Sequence, residues 1–347
     1  MDKKVTLNDI AEKSGVSAAT VSLVLNKRPG VAQETRARVF EVAESLGYSA
    51  KTALSLGRSG RLATVGMIVK KAERDQRPQE NPFYARMVMS IEDACRRSGI
   101  NLLFASIPVD RNNRMMEVPS LLANDDLDGL LVVGAFVDEA VEEVAAQHRS
   151  KIVLVDGYSN TGRFDAVVSD NFRAAYQAIE YLIGKGHRHI AMAGGEADAY
   201  PSLSDRRNGY LRALKAHGIS TSYFADFPIA CDHGQSETGQ LLAENPQITA
   251  VFGINDEIAI AAMRAAQSLG RRIPQDLAVI GYDDIYLAAH VSPPLTTMHV
   301  DTVAMGRAAV QLLTLRIENP DMARVTLTVH STLVERETVS GMEGAGA

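Results

Sequence analysis

From Thr64 onward, short apolar runs alternate with amphipathic helical stretches, and no other feature so restricts the folds open to this 347-residue chain. Residues 65–69, 102–105, 129–133, 152–155, 190–193, 250–254 and 277–280 read as buried strands. Residues 85–97, 172–183, 206–216 and 258–268 carry helical periodicity between them. Such βα alternation predicts an α/β fold, a doubly wound parallel sheet with helices on both faces. The stretch is too long for one sheet layer, so two Rossmann-like lobes are expected. Ligands in such folds bind at the carboxyl ends of the strands. Two facing lobes therefore make a cleft.

The first fifty residues follow a different pattern. Thr6 is placed to cap a helix carrying Leu7, Ile10 and Ala11 on one face, with Asp9 in its first turn and Gly15 ending it. Ser17 caps a second helix after a tight turn, with Val21, Val24 and Leu25 on its buried side. A third segment, 33–46, places Val39, Val42, Ala43 and Leu46 at helical spacing. Two short helices joined by a short turn, with small Ala11 where they cross, form a helix-turn-helix. A plain three-helix bundle is the competing reading.

Charge supports the DNA-binding alternative. The chain as a whole carries −6, but residues 1–62 hold ten Lys/Arg against six Asp/Glu, which is +4 and leaves −10 for the rest. A basic head on an acidic body points to a nucleic-acid contact at one end. The two cysteines, Cys95 and Cys231, suit neither a disulfide framework nor a C-x-x-C metal site. The polar start and the lack of an apolar run long enough to cross a bilayer predict a cytoplasmic protein without a membrane partner. No G-x-G-x-x-G follows the first strand and no Walker loop appears, while His187 and His189 have no third ligand within reach. Neither an enzyme nor a bound cofactor or metal is expected.

The runs Val5-Thr6-Leu7-Asn8-Asp9-Ile10-Ala11, Gly15-Val16-Ser17-Ala18-Ala19-Thr20-Val21-Ser22 and Val24-Leu25-Asn26, then Thr35-Arg36 and Leu46-Gly47-Tyr48, resemble the headpiece of the LacI/GalR family of bacterial transcription regulators. The resemblance implies that the second helix enters the major groove with Ala18, Ala19 and Leu23 against the bases. Leu23 stands where the family commonly has an arginine able to grip guanine, so only apolar contacts remain to it. Ser17, Thr20, Ser22 and Asn26 fall where phosphate contacts would set the register, and Thr6 and Thr35 join this DNA-facing set. The resemblance further implies a hinge helix within 51–61 that forms on operator DNA. There Leu56 would wedge into the minor groove beside Ala53, or exchange roles with Leu54.

Farther along, Asn81-Pro82-Phe83-Tyr84, Asp128-Gly129, Asp170-Asn171, Gly186-His187-Arg188, Arg206 with Gly209-Tyr210, Asn255-Asp256, Gly281-Tyr282-Asp283-Asp284 and 293–297 (Pro-Pro-Leu-Thr-Thr) resemble the family's periplasmic-binding-protein-like body. Phe83, Tyr84, Arg206, Asn255 and Asp283 would then line an effector pocket, with Asp156 as a further candidate. An aromatic wall, an arginine, carboxylates and an amide suit a sugar or nucleoside. The charged run 70–80 is longer than the family's usual loop there; a solvated insertion and an opening to an acidic effector are both compatible with it.

The expected organisation is a headpiece (1–49), a hinge (50–62), a two-lobed effector-binding and dimerisation body (63–339) and a tail (340–347) without heptads. The expected function is a repressor that binds a near-palindromic operator as a homodimer under control of a small-molecule effector. A cytoplasmic or exported sugar-binding protein, or a regulator answering to a protein partner, are the other readings.

Overall fold

A computed structural model describes residues 5–25, 30–46, 62–72, 81–110, 115–123, 127–134, 142, 145, 151–159, 161–195, 200–227 and 234–342. The chain divides into two compact units, Met1–Leu62 and Ala63–Ala347.

The first unit contains α1 (Leu7–Ser14), α2 (Ala18–Leu25) and α3 (Gln33–Ser45). Thr6 caps α1 in a reciprocal box: the Asp9 amide donates to the Thr6 hydroxyl, and the Thr6 amide donates to Asp9 Oδ2 at 2.6 Å. Gly15 follows in the left-handed region (φ 65°), where a side chain would be strained, and turns the chain into α2. Ile10, Val21, Val24, Leu25, Val39 and Ala43 form the core between the three helices.

The second unit has two lobes. The first is a six-stranded parallel sheet in the order β11-β5-β4-β3-β1-β2, built from β1 (Thr64–Ala72), β2 (Asn101–Val109), β3 (Gly129–Val133), β4 (Lys151–Val155), β5 (Asp165–Ser169) and β11 (Thr326–Val329). Two helices, α4 (Pro82–Arg97) and α9 (Thr302–Glu318), pack together on this lobe. The second sheet runs β12-β10-β9-β8-β6-β7, with β6 (Ile190–Ala193), β7 (Tyr223–Ala225), β8 (Ala250–Gly253), β9 (Ala278–Asp283), β10 (Thr296–His299) and β12 (Thr332–Val334). It is parallel except for the antiparallel β10–β12 pair. Its helices are α5 (Asn171–Gly184), α6 (Pro201–Ala216), α7 (Gln235–Glu244) and α8 (Asp256–Ser268). Strands β3, β6, β8 and β9 are buried along their whole length, as sheets covered on both faces require.

The chain passes between the lobes three times, after β5, after β10 and between β11 and β12. Asp170 and His330 join two of these passages through a 2.8 Å contact. The return into the first sheet is anchored by Arg316, which is fully buried and grips Asp165 with two hydrogen bonds of 2.7 and 2.9 Å. Its remaining donors go to the carbonyls of Pro320, Met322 and Ala323, which fixes the turn leading into β11.

Several boundaries differ from the sequence reading. Arg206 does not begin a helix. It lies in the second turn of α6, which starts at Pro201, where the ring's fixed φ suits the first helical position. Strand β9 extends to Asp283, so that residue ends the strand and does not follow it. The first residues of the expected tail are tied down: Met342 donates its amide to the Lys185 carbonyl, and His187 meets the Ser340 carbonyl at 3.2 Å. Strands β5, β7, β10, β11 and β12 and helices α7 and α9 were not among the elements expected from periodicity.

Candidate functional site

The first unit presents one face of α2 to solvent. Ala19 and Leu23 are exposed, Ala18, Thr20 and Ser22 are half-buried, and the opposite face carries Val21, Val24 and Leu25 into the core. Ser17 caps the helix by accepting from the Thr20 amide at 3.1 Å, and its hydroxyl also meets the Thr20 hydroxyl at 2.8 Å. Ser17 is thus exposed while its hydroxyl is engaged in the helix cap. Thr6 is engaged in its capping box at the start of α1, and Thr35 is half-buried in the first turn of α3. Asn26, Ala53, Leu54 and Leu56 lie outside the described residues.

The second unit brings strand ends of both lobes to one cleft. Arg206, on α6, is 5% exposed. Its Nε donates to Asn171 Oδ1 at 2.9 Å, one terminal nitrogen donates to the Ile254 carbonyl at 2.7 Å, and the other lies 3.2 Å from Asp283 Oδ1. The guanidinium also stacks 3.6 Å from the centre of the Tyr282 ring. Burial opposes its charge, but Asp283, Asp156 and the nearby tyrosines hold its pKa above the ordinary value. Arg206 is thus fully organised before any ligand arrives.

Asp156 follows β4. Its Oδ2 accepts from the Tyr84 hydroxyl at 2.9 Å, and its backbone carbonyl accepts from the Tyr200 hydroxyl at 3.3 Å. Burial pushes the Asp156 carboxyl up, while Lys70, Arg206 and the Tyr84 hydrogen bond pull it down. Asp283 is driven by burial to about 7, against the opposing pull of Arg206. Asp156 Oδ1 is buried without a hydrogen-bond partner among the described residues, while Asp283 Oδ1, also buried, has the 3.2 Å ion-pair contact with Arg206. Asp156 (φ 47°), Asp283 (φ 106°) and its neighbour Asp284 (φ 55°) also occupy the left-handed region, the only residues other than glycine to do so among those described. Strain of this kind persists where surrounding structure enforces it, and it clusters at ligand sites.

Of the six effector-binding candidates, Tyr84, Asp156, Arg206 and Asp283 converge. Phe83 sits behind them, 8% exposed, its ring edge-on to Tyr84 at 5.2 Å, and so acts as support. Asn255 uses its side-chain oxygen to cap α8 at the Ile258 amide, 2.9 Å away, which leaves its amide group for other contacts. Residues not anticipated from sequence also belong here: Lys70, Tyr158, Asn171, Tyr200 and Tyr282. Asn171 donates to the Tyr158 hydroxyl at 3.2 Å, and the Tyr158 and Tyr200 rings meet edge to face at 5.3 Å. Gly134 (φ 66°) completes the wall: a Cβ there would lie 2.6 Å from the Tyr84 ring, so only glycine lets that ring reach Asp156.

A helix-turn-helix unit joined to a two-lobed α/β body with a polar, aromatic cleft defines a DNA-binding transcription regulator with a ligand-binding body. Residues 6–51 match the family described as "Bacterial regulatory proteins, lacI family", and residues 179–339 match "Periplasmic binding protein-like domain". The HTH-type transcriptional repressor PurR of Aliivibrio fischeri (strain ATCC 700601 / ES114) is 32% identical over 340 residues, covering 96% of this chain and 98% of the relative. PurR of Erwinia tasmaniensis is 32% identical over 341 residues, covering 96% and 97%. Among solved structures, a transcriptional regulator CelR–cellobiose complex aligns with a TM-score of 0.67 at 29% identity, covering 96% of this chain and all of that one. The lac repressor dimer bound to operator and the anti-inducer ONPF shares the fold, with a TM-score of 0.66 at 24% identity over 97% of this chain and all of that one. The chain belongs to the LacI family of bacterial transcription regulators.

Proposed function

We propose that this regulator represses transcription as a homodimer on a near-palindromic operator, and that a neutral polyhydroxylated ligand, a sugar in the first instance, controls it from the cleft. The carrying observation is the buried acceptor Asp156 Oδ1, which has no hydrogen-bond donor among the described residues, close to the pre-organised pair of Arg206 and Asp283. An unpaired buried acceptor is costly, and a ligand hydroxyl supplies the donor it lacks. The aromatic wall of Tyr84, Tyr158 and Tyr200 gives the cleft the apolar lining that suits a sugar or nucleoside. The relative bound to cellobiose favours the sugar.

On the DNA side, Ala18, Ala19 and Leu23 of α2 give apolar contacts to bases, with Thr6, Ser17, Thr20, Ser22, Asn26 and Thr35 on phosphates. Ala53 and Leu56 act from the hinge at 50–62, between the headpiece at 1–49 and the body at 63–339. Ligand changes operator affinity only through a difference in its affinity for the DNA-competent and DNA-incompetent states.

Thermal-shift screening against sugars, sugar phosphates and nucleosides, followed by calorimetry, tests the ligand class. A neutral sugar is expected to raise Tm, and Arg206→Ala to abolish the effect; a hit untouched by Arg206→Ala places the site elsewhere. Mobility shift with the DNA flanking the protein's own gene tests operator binding, which is expected to weaken steeply with salt. No shift at low salt overturns the DNA assignment.

A further inference from the structure

Strand β1 ends in the cleft with a charge that hydroxyl recognition does not require. Lys70 is half-buried, and its Nζ lies 4.3 Å from the centre of the Tyr200 ring and 5.4 Å from that of Tyr84. Both tyrosines are oriented by Asp156, Tyr84 through its carboxylate and Tyr200 through its carbonyl. Tyr84 is held from behind by Gly134. One lysine is therefore surrounded by two aromatic faces, with a buried carboxylate close enough for the two charges to act on each other. Aromatic faces combined with a carboxylate form the arrangement that captures ammonium groups.

We propose that Lys70 is a specificity-determining residue, an internal cation that fills an aromatic and carboxylate cage in the cleft and so excludes ligands carrying an amine at that position. The inference rests on the cleft being the effector site and deepens it by stating what the site refuses. An acidic ligand is disfavoured at the same place, because its charge would lie against Asp156 while the lysine charge is already opposed by that carboxylate. Lys70 opens the charged run 70–80 but lies within β1, where its ammonium meets the tyrosines of the cleft.

The chain has ten tyrosines and no tryptophan, and four of the ten (Tyr84, Tyr158, Tyr200 and Tyr282) lie in this wall, so changes in tyrosine fluorescence include its response. Full-length wild type, Lys70→Ala and Lys70→Arg are titrated with methylammonium chloride and D-glucosamine, against sodium chloride and D-glucose at matched ionic strength. Lys70→Ala is expected to respond saturably to the amines at concentrations at least tenfold lower than wild type, and Lys70→Arg to behave as wild type. Adding Asp156→Asn to Lys70→Ala is expected to remove the gain. Equal amine responses in wild type and Lys70→Ala, or a gain that survives Asp156→Asn, overturn the proposal. Far-UV circular dichroism checks folding, and Lys70→Gln carries the same titration if the alanine variant does not fold. A wild type that answers to no neutral sugar while Lys70→Ala gains amine binding leaves the cage standing and overturns the effector class instead.

Discussion

In the headpiece the core side chains Ile10, Val21, Val24, Leu25, Val39 and Ala43 are all apolar, and the buried hydroxyl of Ser14 is satisfied by the Ile10 carbonyl. In the cleft Arg206, Asp156, Asp283 and Asn171 are buried beside Phe83 and Tyr282, Asp156 Oδ1 lacks a donor among the described residues, and aspartates occupy backbone conformations that favour glycine. The headpiece is arranged for stability, with a conventional apolar core and an exposed stripe on α2. The cleft holds desolvated charge and backbone strain that the two surrounding sheets must sustain. On the proposed function, DNA recognition falls to the exposed residues of the first unit and ligand recognition to the strained interior of the second.

Arg206→Ala presses hardest on this contrast. It leaves the Asp283 carboxylate without its cation, and removing one partner of a buried pair costs about 3–5 kcal/mol. Urea unfolding of the body is expected to show that loss, with headpiece stability unchanged. Ile10→Ala is the mirror experiment: a cavity in the headpiece core costs about 3 kcal/mol, felt by the headpiece and by operator binding while the body keeps its Tm. Equal loss in both units from either substitution breaks the comparison.

The pH dependence sharpens it. Asp283 is held near 7 in the folded chain, above the unfolded carboxylate value, so the folded state binds the extra proton between those two values. Stability of the body from this group is therefore greatest at acid pH, declines as pH rises from the ordinary carboxylate range to about 7, and is level beyond it. Asp156 and Asp256, also raised by burial, act in the same direction. Asp283→Asn is expected to flatten this decline in unfolding curves taken from pH 5 to 8; an unchanged slope refutes the assignment. Smallest is Thr6→Ala, which removes one cap and is expected to cost about 1 kcal/mol, seen in headpiece melting alone.

Much of this architecture was legible beforehand, for identifiable reasons. Runs such as 129–133 and 250–253 are apolar throughout because both faces of their sheets are covered, so they stand out without alternation. Thr6, Gly15 and Ser17 are local signals whose caps and turns form within a few residues of themselves. Strand β11 was not legible: its residues are mostly exposed, and it exists because Arg316 and Asp165 hold the returning chain beside β5. In the cleft, Arg206 and Asp283 were found because they lie in recognisable motifs. Tyr158 and Tyr200 were missed because each sits in a segment of no distinctive pattern, and Lys70 because the charged run it opens reads as a loop whereas the residue lies within β1.

The order of residues alone determined that a small helical, basic unit precedes a two-lobed parallel α/β body, because periodicity, caps and charge balance act over short stretches of chain. Only the tertiary structure decided which strand ends meet. Three passages between lobes bring Lys70, Tyr84, Asp156, Tyr200, Arg206 and Asp283 from separate βα units to one place. Burial there turns ordinary carboxylates into desolvated acceptors with raised pKa values, an effect of neighbours distant in sequence that no local pattern records.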